Sequence, residues 1–310
     1  MTDHTAKPAL LEKIFIGVAG WSYEDWYGIV YPTHHSRDFD PAEYLAKYFD
    51  VIEINTSFYQ PLRPAVAARW VERLAAHPRF QFTAKLWRKF THETGATAAD
   101  EQLVREGLAP LVAAGKLAAL LFQFPFSFHR TPENVKLLEG LLDRFQDYPR
   151  VVEIRHASWN DPEFYALLHE RHAGFCNIDQ PIIGRSIKPT EHVTAPIGYI
   201  RLHGRRYDTW FTDDPTSPPE ERYNYLYSQA ELAPWADRIR KLAGHTRTTF
   251  VIANNHFEGK AVVNALELLN LLSGAKVSAV PEPLRHRYPE LEAIADRPAE
   301  EPTLFPNAPR

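Results

Sequence analysis

The chain has 310 residues, of which 45% are hydrophobic and 24% charged, with a net charge of −4. That composition excludes an intrinsically disordered protein, and no run of about 18 apolar residues offers a membrane span. A single cysteine precludes an internal disulfide, the first residues lack the marks of a signal peptide, and an acidic chain makes a poor general nucleic-acid coat, so a cytoplasmic protein without a membrane partner is predicted.

Eight short runs rich in Val, Ile and Phe punctuate the sequence: IFIGVAGW (14–21), VIEINTSF (51–58), FQFTAKL (80–86), LAALLFQF (117–124), VVEIRHASW (151–159), GFCNID (174–179), IGYIRLHG (197–204) and TTFVIANN (248–255). Most are nearly continuous rather than alternating, as expected of parallel strands covered on both faces. Helical patterns fill most of the gaps. Asp40-Pro41, Thr131-Pro132 and Asp161-Pro162 each pair an N-cap residue with a proline at the first helical position. Further helices are predicted at 64–76, 100–115, 230–244 and 259–272. Strands alternating with helices over 14–272 match the ~250 residues of a TIM-type (β/α)8 barrel. An open doubly wound sheet would bring a glycine-rich phosphate turn, which Gly17-Val18-Ala19-Gly20-Trp21 does not supply.

Two segments depart from the pattern. Residues 181–196 carry three prolines and a glycine, which predicts an irregular sixth crossover. Residues 205–228 form a long aromatic loop containing Tyr207, Trp210 and Phe211, the kind of segment that serves as a lid or binding element. The barrel domain is expected to span 1–280. Seven prolines in the last 30 residues predict a peripheral, unstructured tail over 281–310. Within that tail Leu304-Phe305 resembles the Leu-Phe end of peptides that bind bacterial sliding clamps, without their leading glutamine; no particular protein partner of the tail is specified by this.

Charged residues inside buried strands are costly unless paired or functional. Glu53 and Asn55 share a strand at a spacing of two, as do Glu153 and Arg155, Asn177 and Asp179, and Arg201 and His203. Lys85, Gln123, Asn254 and Asn255 lie late in their strands. Spacing by two puts each pair on one face, and the inside of the C-terminal mouth is where barrel enzymes place their chemistry. The expected site therefore takes Glu53, Glu153, Asp179 and His203 as catalytic groups. Its substrate contacts are Lys85, Arg155, Arg201, Trp21, Asn55, Tyr59, Gln123, Trp159, Asn254 and Asn255. His203 would shuttle protons near neutral pH, and the aromatic rim would face a ring. Arg63, Arg88, Lys89, Arg205 and Arg206 on the same loops suggest an anionic ligand. Cys176 reads as a small core residue, and His169 and His172 as surface. No cofactor is expected: Glu53, Glu153, Asp179, His203 and His256 could form a divalent-metal site, but the nearby arginines and lysine already neutralise the carboxylates.

These strand ends carry a resemblance as well. GVAGWSY (17–23), FDVIEINTSFY (49–59), the stretch from Lys85 to His92, QFP (123–125), VEIRHASW (152–159), IRLHG (200–204) and NNHFEGKAVVNA (254–265) are similar to the YecE-like family, domain of unknown function 72. The resemblance implies a TIM barrel and supplies no reaction. Ala253 stands where members often carry Tyr or Phe. The strand-end residues and the barrel fold, rather than the resemblance, give three expected functions: acid–base chemistry on a small anionic or sugar-like substrate, metal-dependent processing of phosphodiesters or nucleic acid by analogy with other barrels, and ligand binding without catalysis.

Overall fold

The computed structural model describes residues 10–208 and 219–296. Its eight strands are β1 (Ile14–Ala19), β2 (Val51–Ile54), β3 (Gln81–Lys85), β4 (Leu117–Gln123), β5 (Arg150–Glu153), β6 (Gly174–Asp179), β7 (Ile197–Leu202) and β8 (Thr248–Ala253). Each pairs in parallel with the next and β8 returns to β1, which closes a barrel in sequence order, the TIM architecture read from the alternation of elements. Around it run α1 (Pro41–Leu45), α2 (Thr56–Tyr59), α3 (Pro64–Arg73), α4 (Arg88–Thr91), α5 (Ala98–Ala113), α6 (Pro132–Arg144), α7 (Pro162–Glu170), α8 (Gln229–His245), α9 (Lys260–Ser273) and α10 (Glu282–Arg287). None is long and apolar enough to cross a membrane.

The start signals do what their chemistry predicts. The Asp40 carboxylate accepts from the amides of Ala42 and Glu43, Thr131 accepts from Asn134 N–H, and Asp161 from Glu163 N–H. Between β6 and β7 no helix forms. The chain runs irregularly over 180–196, anchored where Asn177 Oδ1 accepts from Thr190 Oγ1 and His192 N–H, each at 2.8 Å.

Strand alternation divides the core in two. Phe82, Phe122 and Phe175 point outward against the helices, where Phe82 meets Trp70 of α3 and Phe175 meets Tyr165 of α7. At the N-terminal end of the interior the ring centroids of Phe15 and Phe250 sit 5.0 Å apart, beneath the Tyr199 ring. Arg79 closes that end: its guanidinium lies over Phe15 and donates to Asp50 and to backbone carbonyls of Glu12 and Ile14. These rings plug the N-terminal end of the interior, and the cation there is bound.

The segment 281–296, expected to belong to the unstructured tail, instead packs on the barrel. Leu284, Leu291 and Ile294 are buried, Val277 bridges Ala295, and the Tyr288 hydroxyl donates to Glu258 O. Its apolar side chains outweigh the prolines, which sit at helix starts where they are tolerated (Pro283 and Pro289). Trp210, Phe211 and the Leu304-Phe305 segment lie outside the described residues.

Candidate active site at the barrel mouth

The inward positions of β2, β3, β4, β5 and β7 bring Glu53, Lys85, Gln123, Glu153, Arg155, Arg201 and His203 together inside the barrel towards its C-terminal end. Arg201, fully buried, is the keystone. Its Nη2 donates to Glu53 Oε1 at 2.7 Å, and its Nη1 donates to Glu153 Oε2 at 2.5 Å and to Gln123 Oε1 at 3.2 Å. A planar guanidinium with forked donors can tie two carboxylates and an amide from three strands, where an ammonium could not. Glu53 also accepts from the Tyr199 hydroxyl at 2.9 Å, and that hydroxyl lies 2.8 Å from Thr83 Oγ1. Arg155 reaches back along its own strand to Glu153 Oε1, Nε at 3.0 Å and Nη2 at 2.9 Å. His203 Nε2 stands 3.3 Å from the same oxygen, and the Asn254 amide meets its Nδ1 at 2.9 Å. With Nδ1 accepting from that amide, Nε2 carries the ring hydrogen that faces Glu153.

The charges are not equal in their attachments. Burial alone would raise Glu153, but Arg201, His203 and Arg155 outweigh it and hold its carboxyl well below the ordinary range. Burial, with Arg201 adding to it, pushes His203 down to about 3 despite Glu153. His203 therefore stays neutral across the neutral range, which corrects its expected role as a shuttle there. Lys85 differs from the arginines. Its Nζ makes no hydrogen bond among the described residues, with the Glu53 carboxylate 3.8 Å away and the Phe58 ring centroid 5.6 Å away. Burial and the repulsion of Arg201 push its amine down to about 7, even against Glu53 and Glu153. Its side chain keeps 11% exposure. Two further buried atoms of this region lack a partner among the described residues, Arg201 Nε and Asn55 Oδ1.

Two histidines stand near this lysine, His92, which the period-two pattern did not select, and His256, named above only as a possible metal ligand. His92 stands edge-on to Phe58 and is pushed down to about 4 by burial, Arg155 and Arg88. His256 stacks on Tyr23 at 4.3 Å and is pushed down to about 4 by burial and Lys85. Both lie past the ends of β3 and β8, on loops where period-two placement gives no guidance. Gly20, with φ at 75°, leaves room for the Tyr23 hydroxyl, which donates to Ala19 O and accepts from Asn55 Nδ2. Tyr59 is 67% exposed on the rim beside Phe58.

Four of the expected residues are elsewhere. Asp179 faces outward: Cys176 Sγ lies 4.0 Å from Glu153 Oε2, which fixes the inward parity of β6 and turns Asn177 and Asp179 towards the helices. There Asp179 binds Arg205 Nε at 2.9 Å. Asn255 likewise turns outward, its amide donating to Tyr225 O and to Asn264 Oδ1 of α9. Trp21 packs edge-on against Trp70 in the outer layer, and Trp159 is fully buried, stacked on Phe128 with Nε1 donating to its carbonyl. Neither tryptophan offers a ring face at the mouth. The expected basic rim is also mostly paired: Arg88 with Glu93, Lys89 with Asp100, Arg205 with Asp179 and Arg206 with Asp208.

A family model described as "Protein of unknown function DUF72" matches residues 15–287. The chain is 31% identical over 278 residues to UPF0759 protein YunF of Bacillus subtilis, a match covering 84% of this chain and 94% of that protein. It is 27% identical over 186 residues to UPF0759 protein YecE of Escherichia coli strain K12, covering 59% and 61%. Among solved structures, a DUF72 family protein from Thermotoga maritima aligns at a TM-score of 0.73 and 32% identity, covering 84% of this chain and 98% of that one. A DUF72 family protein from Enterococcus faecalis aligns at 0.73 and 25%, covering 84% and 95%.

Proposed function

The chain belongs to the DUF72 family, and from that premise we propose that its barrel mouth performs acid–base chemistry on a small anionic or sugar-like substrate. The observation that carries this reading is Lys85. In a fully hydrogen-bonded ion network every cation would donate to a carboxylate, as Arg201 does, and the network would be barrel filler. Lys85 instead sits at the edge of the network with an amine that titrates near neutrality, the condition a general base needs to accept a proton and return it.

The neighbours take complementary roles in this proposal. Glu153, held ionised by three groups, is an electrostatic anchor rather than a proton carrier. Glu53 stands beside the lysine and is the second candidate acid or base. Three cations, Lys85, Arg155 and Arg201, face two carboxylates, so the protonated cluster carries one excess positive charge that favours an anion. Asn55, Gln123, Asn254 and Tyr59 remain the substrate contacts of the proposal. No metal or other cofactor is part of it.

Two measurements test it. Inorganic phosphate should stabilise the protein beyond a sodium chloride control, and the shift should vanish in Lys85→Met. A panel of carboxylated and phosphorylated small molecules should then show turnover by NMR that Lys85→Met abolishes. Binding without turnover of any member would favour a ligand-binding protein, and activity that appears only on adding a divalent metal would favour the metal-dependent reading.

A further inference from the structure

The geometry points to a second use of the same amine: Lys85 Nζ attacks the carbonyl carbon of a small anionic aldehyde or ketone and holds it as an imine. This rests on the reading of the mouth given above and narrows its substrate class to carbonyl compounds. Three placements carry it. Lys85 closes β3 on its inward face near the mouth, its side chain 11% exposed and its Nζ without a hydrogen bond among the described residues to orient or block its lone pair. The Glu53 carboxylate at 3.8 Å is far enough to leave Nζ uncommitted and near enough to balance the positive charge of a protonated imine. The Phe58 face near Nζ, together with the His92 and Tyr59 rings that meet Phe58 edge-on, gives the bound carbon an apolar lid. The fixed cations Arg201 and Arg155 behind the amine disfavour its protonation and favour an anionic group on the incoming molecule.

The step balances without a redox partner. The Nζ lone pair forms the C–N bond as the carbonyl oxygen takes a proton, and the nitrogen then gives up one of its own protons to water, giving a neutral carbinolamine. A second proton on that oxygen lets it leave as water while the nitrogen lone pair forms the C=N bond. The net change is amine plus carbonyl giving imine plus water, with one further proton taken up if the imine is held protonated.

Reductive trapping tests this. The full-length protein is incubated at pH 7 with pyruvate or with pyridoxal 5′-phosphate, treated with borohydride, which delivers hydride to the imine carbon, and mapped by peptide mass spectrometry. An amine titrating near 7 is about half deprotonated at that pH, against about 0.04% for an ordinary lysine, so Lys85 should be labelled up to about a thousandfold faster than an ordinary lysine, with exposed Lys241 as the comparison in the same sample. Phosphate should slow the labelling of Lys85 and leave Lys241 unaffected. Lys85→Arg, which keeps the charge, should lose that label while retaining stabilisation by phosphate. Labelling of Lys85 by both probes no faster than of Lys241, while phosphate still stabilises the protein, overturns imine chemistry and leaves the acid–base reading standing. Loss of the phosphate effect as well overturns both.

Discussion

Two clusters of buried polar side chains lie at the C-terminal ends of the strands, one inside the barrel and one outside it. Inside, Arg201 ties Glu53 to Glu153 while Lys85 stands beside them without a hydrogen bond among the described residues. Outside, Asp179 holds Arg205, Arg205 reaches Glu231, and Glu231 caps α8 through Ser228. Next to it Asn264 donates to Tyr227 O and Glu267 Oε2 and accepts from Asn255 and Tyr227 N–H. The outer cluster fastens the segment 225–228 to α8 and α9. Its charges end on one another, on a helix cap or on backbone. Among the described residues each cluster leaves an asparagine amide oxygen without a partner, Asn55 Oδ1 inside and Asn255 Oδ1 outside, but the inner one also leaves the Lys85 amine and Arg201 Nε without a hydrogen bond. Composition barely distinguishes the two; what differs is whether the donors of the charged groups are used up.

The sharpest way to break this contrast is to remove its keystone. Arg201→Ala leaves two buried carboxylates facing each other and should cost about 3–5 kcal/mol. At about 2–4 °C per kcal/mol that is a fall in Tm of roughly 6–20 °C. Arg205 is 29% exposed, so Arg205→Ala should cost about 1–2 kcal/mol, the loss of a hydrogen bond to a charged group. Equal losses in urea unfolding would mean the two clusters are energetically alike.

Lys85→Met should go the other way. The folded amine, down at about 7, lies below the unfolded value of 10.5, so the native state binds fewer protons than the unfolded state between those values. The wild type therefore gains stability as pH rises from about 7 to 10, and the full penalty applies below 7. The variant should be about 1–3 kcal/mol more stable than wild type at pH 6, with the advantage shrinking towards pH 10, while losing any activity. Urea midpoints measured from pH 6 to 10 decide it; a constant difference between the two proteins would show that the lysine is not titrating.

A smaller effect of opposite sign belongs to the outer wall. Burial pushes Glu267 up to about 7, so its protonated form is favoured in the fold and that stability is lost as pH rises from about 4.5 through 7. Glu267→Gln should gain about 1 kcal/mol at pH 8 and nothing at pH 4, with turnover unchanged. A change in turnover would couple the wall to the mouth. Smallest in stability is Tyr59→Ala, expected within ±0.5 kcal/mol because the ring is exposed, yet weakening ligand binding if the rim contacts substrate. Unchanged affinity by calorimetry would remove Tyr59 from the site.

The architecture was legible because it rests on local signals. Nearly continuous apolar runs announced parallel strands buried on both sides, Asp-Pro and Thr-Pro placed three helix starts, and the prolines and glycine of 181–196 forbade a helix. The site was legible only up to parity. Spacing by two correctly put Glu153 with Arg155 and Arg201 with His203 on one face, and it equally put Asn177 with Asp179 together. It could not say that the last pair looks outward. In a one-sided sheet the apolar face would have settled the question, but a barrel strand is apolar on both faces, so a polar residue carries no label for inside or outside.

The sequence alone, then, determined the number, order and direction of the strands, since these arise from patterns within short stretches of chain. Tertiary structure decided which face of β6 and which asparagine after β8 looks inward, since closure of the barrel sets each strand's rotation against its neighbours. It also decided that Arg201 would be shared between two glutamates while Lys85 stayed uncommitted. A titration near neutrality arises from burial and from charges on three other strands, a sum over distances that no stretch of the chain contains by itself.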